Sequence, residues 1–248
     1  MRIRTITIDF WGTLLFDGPA SDDRYKRRRL GDFEKILSGI GVRASAPGLE
    51  RAYDECGAFL ARVWSECRDV PAEAHVRAIL DALDPRLADQ LSPETKTALL
   101  DAYARPALMV PPTVDDGARS ALEALCARGY TLAVVSNTMR TPGLALRKLL
   151  ERYGLLACFT HTTFSDEVGI RKPAPEIFHL TLRAVGGEPE GAVHVGDDLV
   201  LDVQGARAAG MRVIQVTSTA PRVLGFPGPD GVIPRLARLP DAIARLEG

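Results

Sequence analysis

Four acidic or hydroxyl side chains stand where apolar runs stop: Asp9 after TITI, Ser136 after TLAVV, and Asp197 with Asp198 after AVHVG. One acid at the end of a strand is ordinarily a turn residue. Several polar groups converging on one edge of a sheet argue for a site. A carboxylate such as that of Asp9 can attack phosphorus and form an acyl phosphate, splitting one hard hydrolysis into two easier steps. Acids gathered nearby call for a cation, because two carboxylates about 4 Å apart repel by roughly 4 kcal/mol at an effective dielectric of about 20.

The elements that would position these groups follow from periodicity. Ile3, Ile6 and Ile8, interleaved with Thr5 and Thr7, form a β-branched run that ends at Asp9 and is broken by Gly12. Apolar residues then recur at helical spacing over Tyr25 to Gly39, Pro47 to Cys67, Ala72 to Leu83 and Pro93 to Ala104, with no strand between them. After Pro111 and Pro112 the pattern alternates. Helices over Gly117 to Arg128, Leu144 to Tyr153, Pro175 to Val185 and Asp202 to Ala209 separate the runs TLAVVSN, CFTHTTF, AVHVGDD and RVIQVTS.

Strands alternating with helices predict an α/β fold: a three-layer, Rossmann-like core on a five-stranded parallel sheet. Such sheets bind ligands at the carboxyl ends of their strands, where Asp9, Ser136 and Asp197 fall. The helical block of residues 17–110 interrupts this alternation and reads as an inserted all-helical cap, leaving 1–16 and 111–248 as the core. The Pro- and Gly-rich stretch 219–231 reads as a loop before a last short strand and helix.

With 248 residues, 46% of them hydrophobic and 25% charged, the chain can bury a core beneath an ordinary soluble surface. A net charge of −1 supplies no global field to recruit nucleic acid or an anionic membrane. The basic run Arg24 to Arg29 is offset by Asp22, Asp23, Asp32 and Glu34 and reads as a solvated helix face. Cys56, Cys67, Cys126 and Cys158 form no CxxC pair or zinc spacing and are expected as free thiols of a reducing cytoplasm. The apolar stretch before Asp9 is too short for a signal or membrane segment, which agrees with a cytoplasmic location.

DFWGTL at 9–14, VVSNT at 134–138, GIRKPAPEIF at 169–178 and HVGDDLVLDVQGA at 194–206 together resemble, in order, the four motifs of the haloacid dehalogenase (HAD) superfamily. The resemblance spans residues 1–16 and about 111–217. It implies that Asp9 is the nucleophile, that Thr13 orients it, and that Gly12 lets backbone approach the transferred group. Ser136 would bind a phosphoryl oxygen, with Asn137 holding the loop or touching substrate, and Lys172 would neutralise charge on nucleophile and phosphoryl group. A Mg2+ cofactor would be held by Asp9, the backbone carbonyl of Trp11 and Asp197, with Asp198 and Asp202 behind them. The role of Arg171 is open.

One position departs from the pattern. Phosphatases of this superfamily carry a second Asp two residues after the nucleophile as general acid and base; here that residue is Trp11. A positioned acid is worth roughly 10² to 10⁴ in rate. The first reading is an Mg2+-dependent phosphatase acting on a small, anionic phosphorylated metabolite through an aspartyl-phosphate. The resemblance also extends to 2-haloacid dehalogenases, which place an aromatic residue near this point, and to phosphonatases, which depend on a cap lysine; the early cap lysines here are Lys26 and Lys35, neither in an apolar setting. A catalytically weak binding protein is the remaining alternative. The acids Asp197, Asp198 and Asp202 favour phosphoryl chemistry, since those dehalogenases need no metal and carry uncharged residues where Asp197 stands. Arg27 to Arg29 match the dehalogenase arginine by position alone. Trp11 either packs without a chemical role or walls a hydrophobic substrate site.

Overall fold

The computed structural model describes residues 2–218 and 228–248. Strand β1, Thr5–Ile8, is fully buried and lies at the centre of a parallel sheet. Short strand β2, Leu15–Phe16, leads into helices α1, Ser21–Gly39; α2, Ala46–Ser65; α3, Ala72–Leu83; α4, Leu87–Gln90; α5, Pro93–Ala104; and α6, Pro106–Met109. The chain returns through β3, Thr113–Val114, which pairs antiparallel with β2. Then come α7, Ala118–Ala127; β4, Thr131–Ser136; α8, Gly143–Arg152; β5, His161–Phe164; α9, Ser165–Val168; and α10, Pro175–Ala184. Strand β6, Ala192–Gly196, precedes a π-helical stretch, Leu199–Gln204, and α11, Gly205–Ala208. Strands β7, Arg212–Val216, and β8, Gly231–Ile233, and helix α12, Leu239–Glu247, complete the described fold.

The strand order is β5-β4-β1-β6-β7-β8, all parallel. Six strands replace the five expected. The sixth is β8, the last short strand expected near the end of the chain, which joins the sheet by pairing with β7. Of the predicted loop 219–231, residues 219–227 lie outside the described residues. The helix expected over Asp202 to Ala209 begins earlier, at Leu199, and its first turn is π-helical.

Alternation along the strands makes the three layers. Ile6, Ile8, Leu132, Val134, Val193 and Val195 pack on one face with apolar residues of α7, α8 and α12. Val135, Ala192 and Val213 turn to the other, against Ile177, Phe178 and Leu182 of α10 and Ala206 of α11. The helices between β2 and β3 bury an apolar cluster of their own, including Phe33, Leu37, Leu60, Ile79, Leu99 and Tyr103. Tyr25 ties together the two connections to those helices, its hydroxyl donating to Asp17 Oδ1 at 2.9 Å and lying 3.0 Å from the Val110 carbonyl.

The basic run on α1 is not uniformly solvated. Arg29 is buried because it faces α2 and α5: its guanidinium donates to the Tyr103 carbonyl and the Tyr53 hydroxyl, and to the Arg140 carbonyl of the core. Lys26 is held by Asp54 at 2.8 Å and Glu50 at 3.3 Å. All four cysteines are free. No helix among the described residues is long and apolar enough to cross a membrane.

Candidate active site

The register puts the expected groups on one sheet edge. Ile8 of β1 lies level with Val134 of β4 and Val195 of β6, which brings Asp9, Ser136 at the end of β4, and Asp197 to the same carboxyl edge of the sheet. The Asp9 amide continues the ladder by donating to the Val195 carbonyl at 2.9 Å. Carboxylate oxygens of Asp9, Asp197 and Asp202 all lie within 4.8 Å of one another. Two glycines make that possible. A Cβ on Gly12, which has φ of 76°, would fall 2.3 Å from Asp197 Oδ2, and one on Gly196 would fall 2.3 Å from Asp202 Cγ.

Lys172 reaches this cluster from the loop before α10, its Nζ 2.5 Å from Asp9 Oδ1 and 2.6 Å from Asp202 Oδ1. Its backbone is pinned by the Asn137 side chain, which donates to the Lys172 carbonyl at 3.0 Å and accepts from the Lys172 amide at 2.8 Å. Asn137 thus holds the lysine loop against the end of β4. The Ser136 hydroxyl donates to the Asn137 carbonyl at 3.3 Å. Thr13 is fully buried and its hydroxyl has no partner, as is true of the Trp11 indole nitrogen. The Trp11 ring packs edge-on against Phe10, centroids 4.9 Å apart.

Asp202 and Asp198 divide their work. Asp198 Oδ1 caps the following turn by accepting from the Val200 and Leu201 amides at 2.8 Å. Asp202 turns inward, accepting from the Asp198 amide and facing Lys172 and His194. Sequence reasoning missed His194 and Thr7, which are joined by a 2.8 Å hydrogen bond. Both sit at strand positions facing α10, and a polar residue at such a position was the available signal. Burial lowers the His194 pKa and keeps the ring neutral. Since a carboxylate only accepts, Nε2 carries the proton toward Asp202 and Nδ1 accepts from Thr7.

One ammonium faces two acids and cannot serve both equally. Burial favours the neutral form of each carboxyl, but Asp202 has Lys172 and His194 and is held well below the usual carboxylate range. Asp9, buried, helped by Lys172 and opposed by Asp202 and Asp197, is pushed up to about 7. Burial alone would lower the Lys172 pKa; Asp202 and Asp9 outweigh it and raise it. Three carboxylates against one ammonium suit a hard divalent cation, which would return Asp9 to its charged form.

Residues 3–210 match the model of the haloacid dehalogenase-like hydrolase family, and the chain belongs to that family. It is 33% identical over 180 residues to a phosphoserine phosphatase of Thermus thermophilus, covering 73% of this chain and 63% of the relative. To the human haloacid dehalogenase-like hydrolase domain-containing protein 3 it is 38% identical over 136 residues, covering 54% and 53%. A glyceraldehyde 3-phosphate phosphatase of Methanopyrus kandleri is 39% identical over 90 residues, 36% of each chain. The chain therefore spans less than two thirds of the length of these relatives. Its fold resembles a 2-haloacid dehalogenase from Pseudomonas syringae pv. tomato, with a TM-score of 0.72, 24% identity and coverage of 98% and 99%. A HAD phosphatase from Thermococcus onnurineus gives a TM-score of 0.59 at 24% identity, covering 96% and 97%.

Proposed function

We propose that the chain is a magnesium-dependent phosphatase acting on a small phosphorylated metabolite, with Asp9 as nucleophile. The observation that carries this reading is the gathering of the Asp9, Asp197 and Asp202 carboxylates at one point, with Lys172 paired to Asp9 and Asp202. Asp9 Oδ attacks phosphorus while the bond to the leaving oxygen breaks, giving an aspartyl-phosphate that water then hydrolyses. Lys172 holds Asp9 in line and balances phosphoryl charge, and the Ser136 hydroxyl, rotated from its bond to the Asn137 carbonyl, donates to a phosphoryl oxygen. The Thr13 hydroxyl, buried and without a partner, would orient Asp9. Asp9, Asp197 and the Trp11 carbonyl would hold Mg2+, with Asp202 behind them and Asp198 shaping the turn. Bound there, Mg2+ supplies charge stabilisation to the phosphoryl oxygens. The helical insertion of residues 17–110 serves as a cap that excludes water and contacts the rest of the substrate.

Trp11 favours one competing reading, a dehalogenase in which Asp9 attacks carbon and halide leaves without a proton. Measuring phosphate release from p-nitrophenyl phosphate and chloride release from 2-chloropropionate, with and without Mg2+, separates the two. The phosphatase reading expects phosphate release that is lost with EDTA and in Asp9→Asn. Metal-independent chloride release without phosphate release would replace it with the dehalogenase.

A further inference from the structure

Asp69 lies in the helical insertion, between α2 and α3, yet its side chain is fully buried and reaches the core. Its two oxygens face different parts of the molecule. Oδ1 accepts from the Trp64 indole N–H and the Val70 amide, both at 2.9 Å and both in the insertion. Oδ2 accepts from Arg171 Nη1 at 2.6 Å and the Ser165 hydroxyl at 2.5 Å, both in the core. The backbones are joined beside it: Asp69 N–H donates to the Gly169 carbonyl and Arg171 N–H to the Cys67 carbonyl, at 3.1 and 2.9 Å.

The core groups that Asp69 holds are the immediate neighbours of the phosphoryl-binding residues. Arg171 precedes Lys172. The same Arg171 Nη1 also donates to the Thr138 carbonyl at 2.6 Å, and the Ser165 hydroxyl accepts from the Thr138 amide at 2.8 Å. Thr138 follows Ser136 and Asn137, and Asn137 grips the Lys172 backbone. One carboxylate of the insertion therefore secures the outer ends of both loops whose inner ends carry Ser136 and Lys172.

We propose that Asp69 is a positioning residue of the active site: through Arg171 and Thr138 it couples seating of the helical insertion to the placement of Lys172 and Ser136. The inference rests on the phosphatase reading for its kinetic consequence, but its structural consequence can be measured without it.

Asp69→Asn tests the core-facing half alone. The amide oxygen can still serve Trp64 and Val70, while its NH2 meets Arg171, which can only donate, with a second donor. With p-nitrophenyl phosphate and Mg2+, kcat should fall at least tenfold with KM changed less than threefold, because the lysine and serine act on charge in the transition state. Amide exchange should quicken in 136–141 and 166–174 and stay unchanged in 131–135 and 72–83. Arg77→Ala, which breaks surface ion pairs of the insertion with Asp81 and Asp89, should leave both readouts as in the wild type. The double variant Asp69→Asn/Arg171→Gln removes the buried charges together and should show the same kcat loss, which covers the case in which Asp69→Asn does not fold. Unchanged exchange at 136–141 and 166–174 in the folded variant, or kcat within twofold of wild type, would overturn the proposal. A wild type without phosphatase activity would instead overturn the functional reading, leaving the exchange result to decide the role of Asp69.

Discussion

Gly12 and Asp197 are in such close approach that a single added methyl on Gly12 would lie 2.3 Å from the Asp197 carboxylate. The φ of 76° at Gly12 adds roughly 1–2 kcal/mol of strain for any residue with a Cβ. Gly12→Ala should therefore displace Asp197 while leaving the sheet intact. Mg2+ affinity by calorimetry and kcat/KM on p-nitrophenyl phosphate should each fall by roughly 10- to 100-fold. Wild-type Mg2+ affinity in this variant would remove Asp197 from the metal site.

Among the described residues Lys172 is the one cation paired with both Asp9 and Asp202, so Lys172→Met leaves two buried carboxylates without that counter-charge. Breaking a buried pair in this way costs about 3–5 kcal/mol. A cation bound only by the folded state offsets part of that loss. In urea unfolding near neutral pH, millimolar Mg2+ should stabilise Lys172→Met by more than it stabilises the wild type. Equal effects on the two proteins would argue against a cation among these acids.

Much of this site is legible in the sequence because the strand signal and the chemistry coincide. Asp9, Ser136 and Asp197 each follow an apolar run, and parallel register carries them to one edge. The partners that hold them are not legible, because no local pattern links residues 187 positions apart, as in the Thr7–His194 pair, or 102 apart, as in Asp69–Arg171. Arg29 looked like part of a charged surface because helix periodicity says nothing of Tyr53 and Tyr103 arriving from other helices. Asp198 is the reverse case: an acid at the start of a helical turn is a cap by local rules alone.

His75 makes stability depend on pH. Buried on α3 with Nδ1 2.9 Å from the Tyr103 hydroxyl, it has its pKa lowered from 6.5 to about 4, burial being the main cause. The folded state keeps the ring neutral, while the unfolded chain takes up a proton below about 6.5. Its contribution is therefore fully present above pH 6.5 and is lost as pH falls toward 4, by roughly 3 kcal/mol in all. Chemical unfolding of His75→Gln should show a shallower decline across that window. His194, whose pKa burial also lowers, should keep some slope in the variant. An identical decline in both proteins would mean that His75 is accessible to protons in the folded state.

Trp11→Asp asks whether the missing acid limits the reaction. The side chain is half-buried, its indole N–H has no partner, and the turn that carries it is closed by the Gly12 amide donating to the Leu15 carbonyl at 2.9 Å. Loss of the ring against Phe10 costs roughly 2 kcal/mol of packing, so total activity is a poor readout. The ratio of β-glycerophosphate to p-nitrophenyl phosphate turnover cancels that cost. An alkoxide needs a proton as it leaves and p-nitrophenolate does not, so a carboxyl at position 11 should raise the ratio at least about tenfold. An unchanged ratio would mean that the leaving group draws its proton from elsewhere, and that the ring at position 11 serves packing or substrate contact.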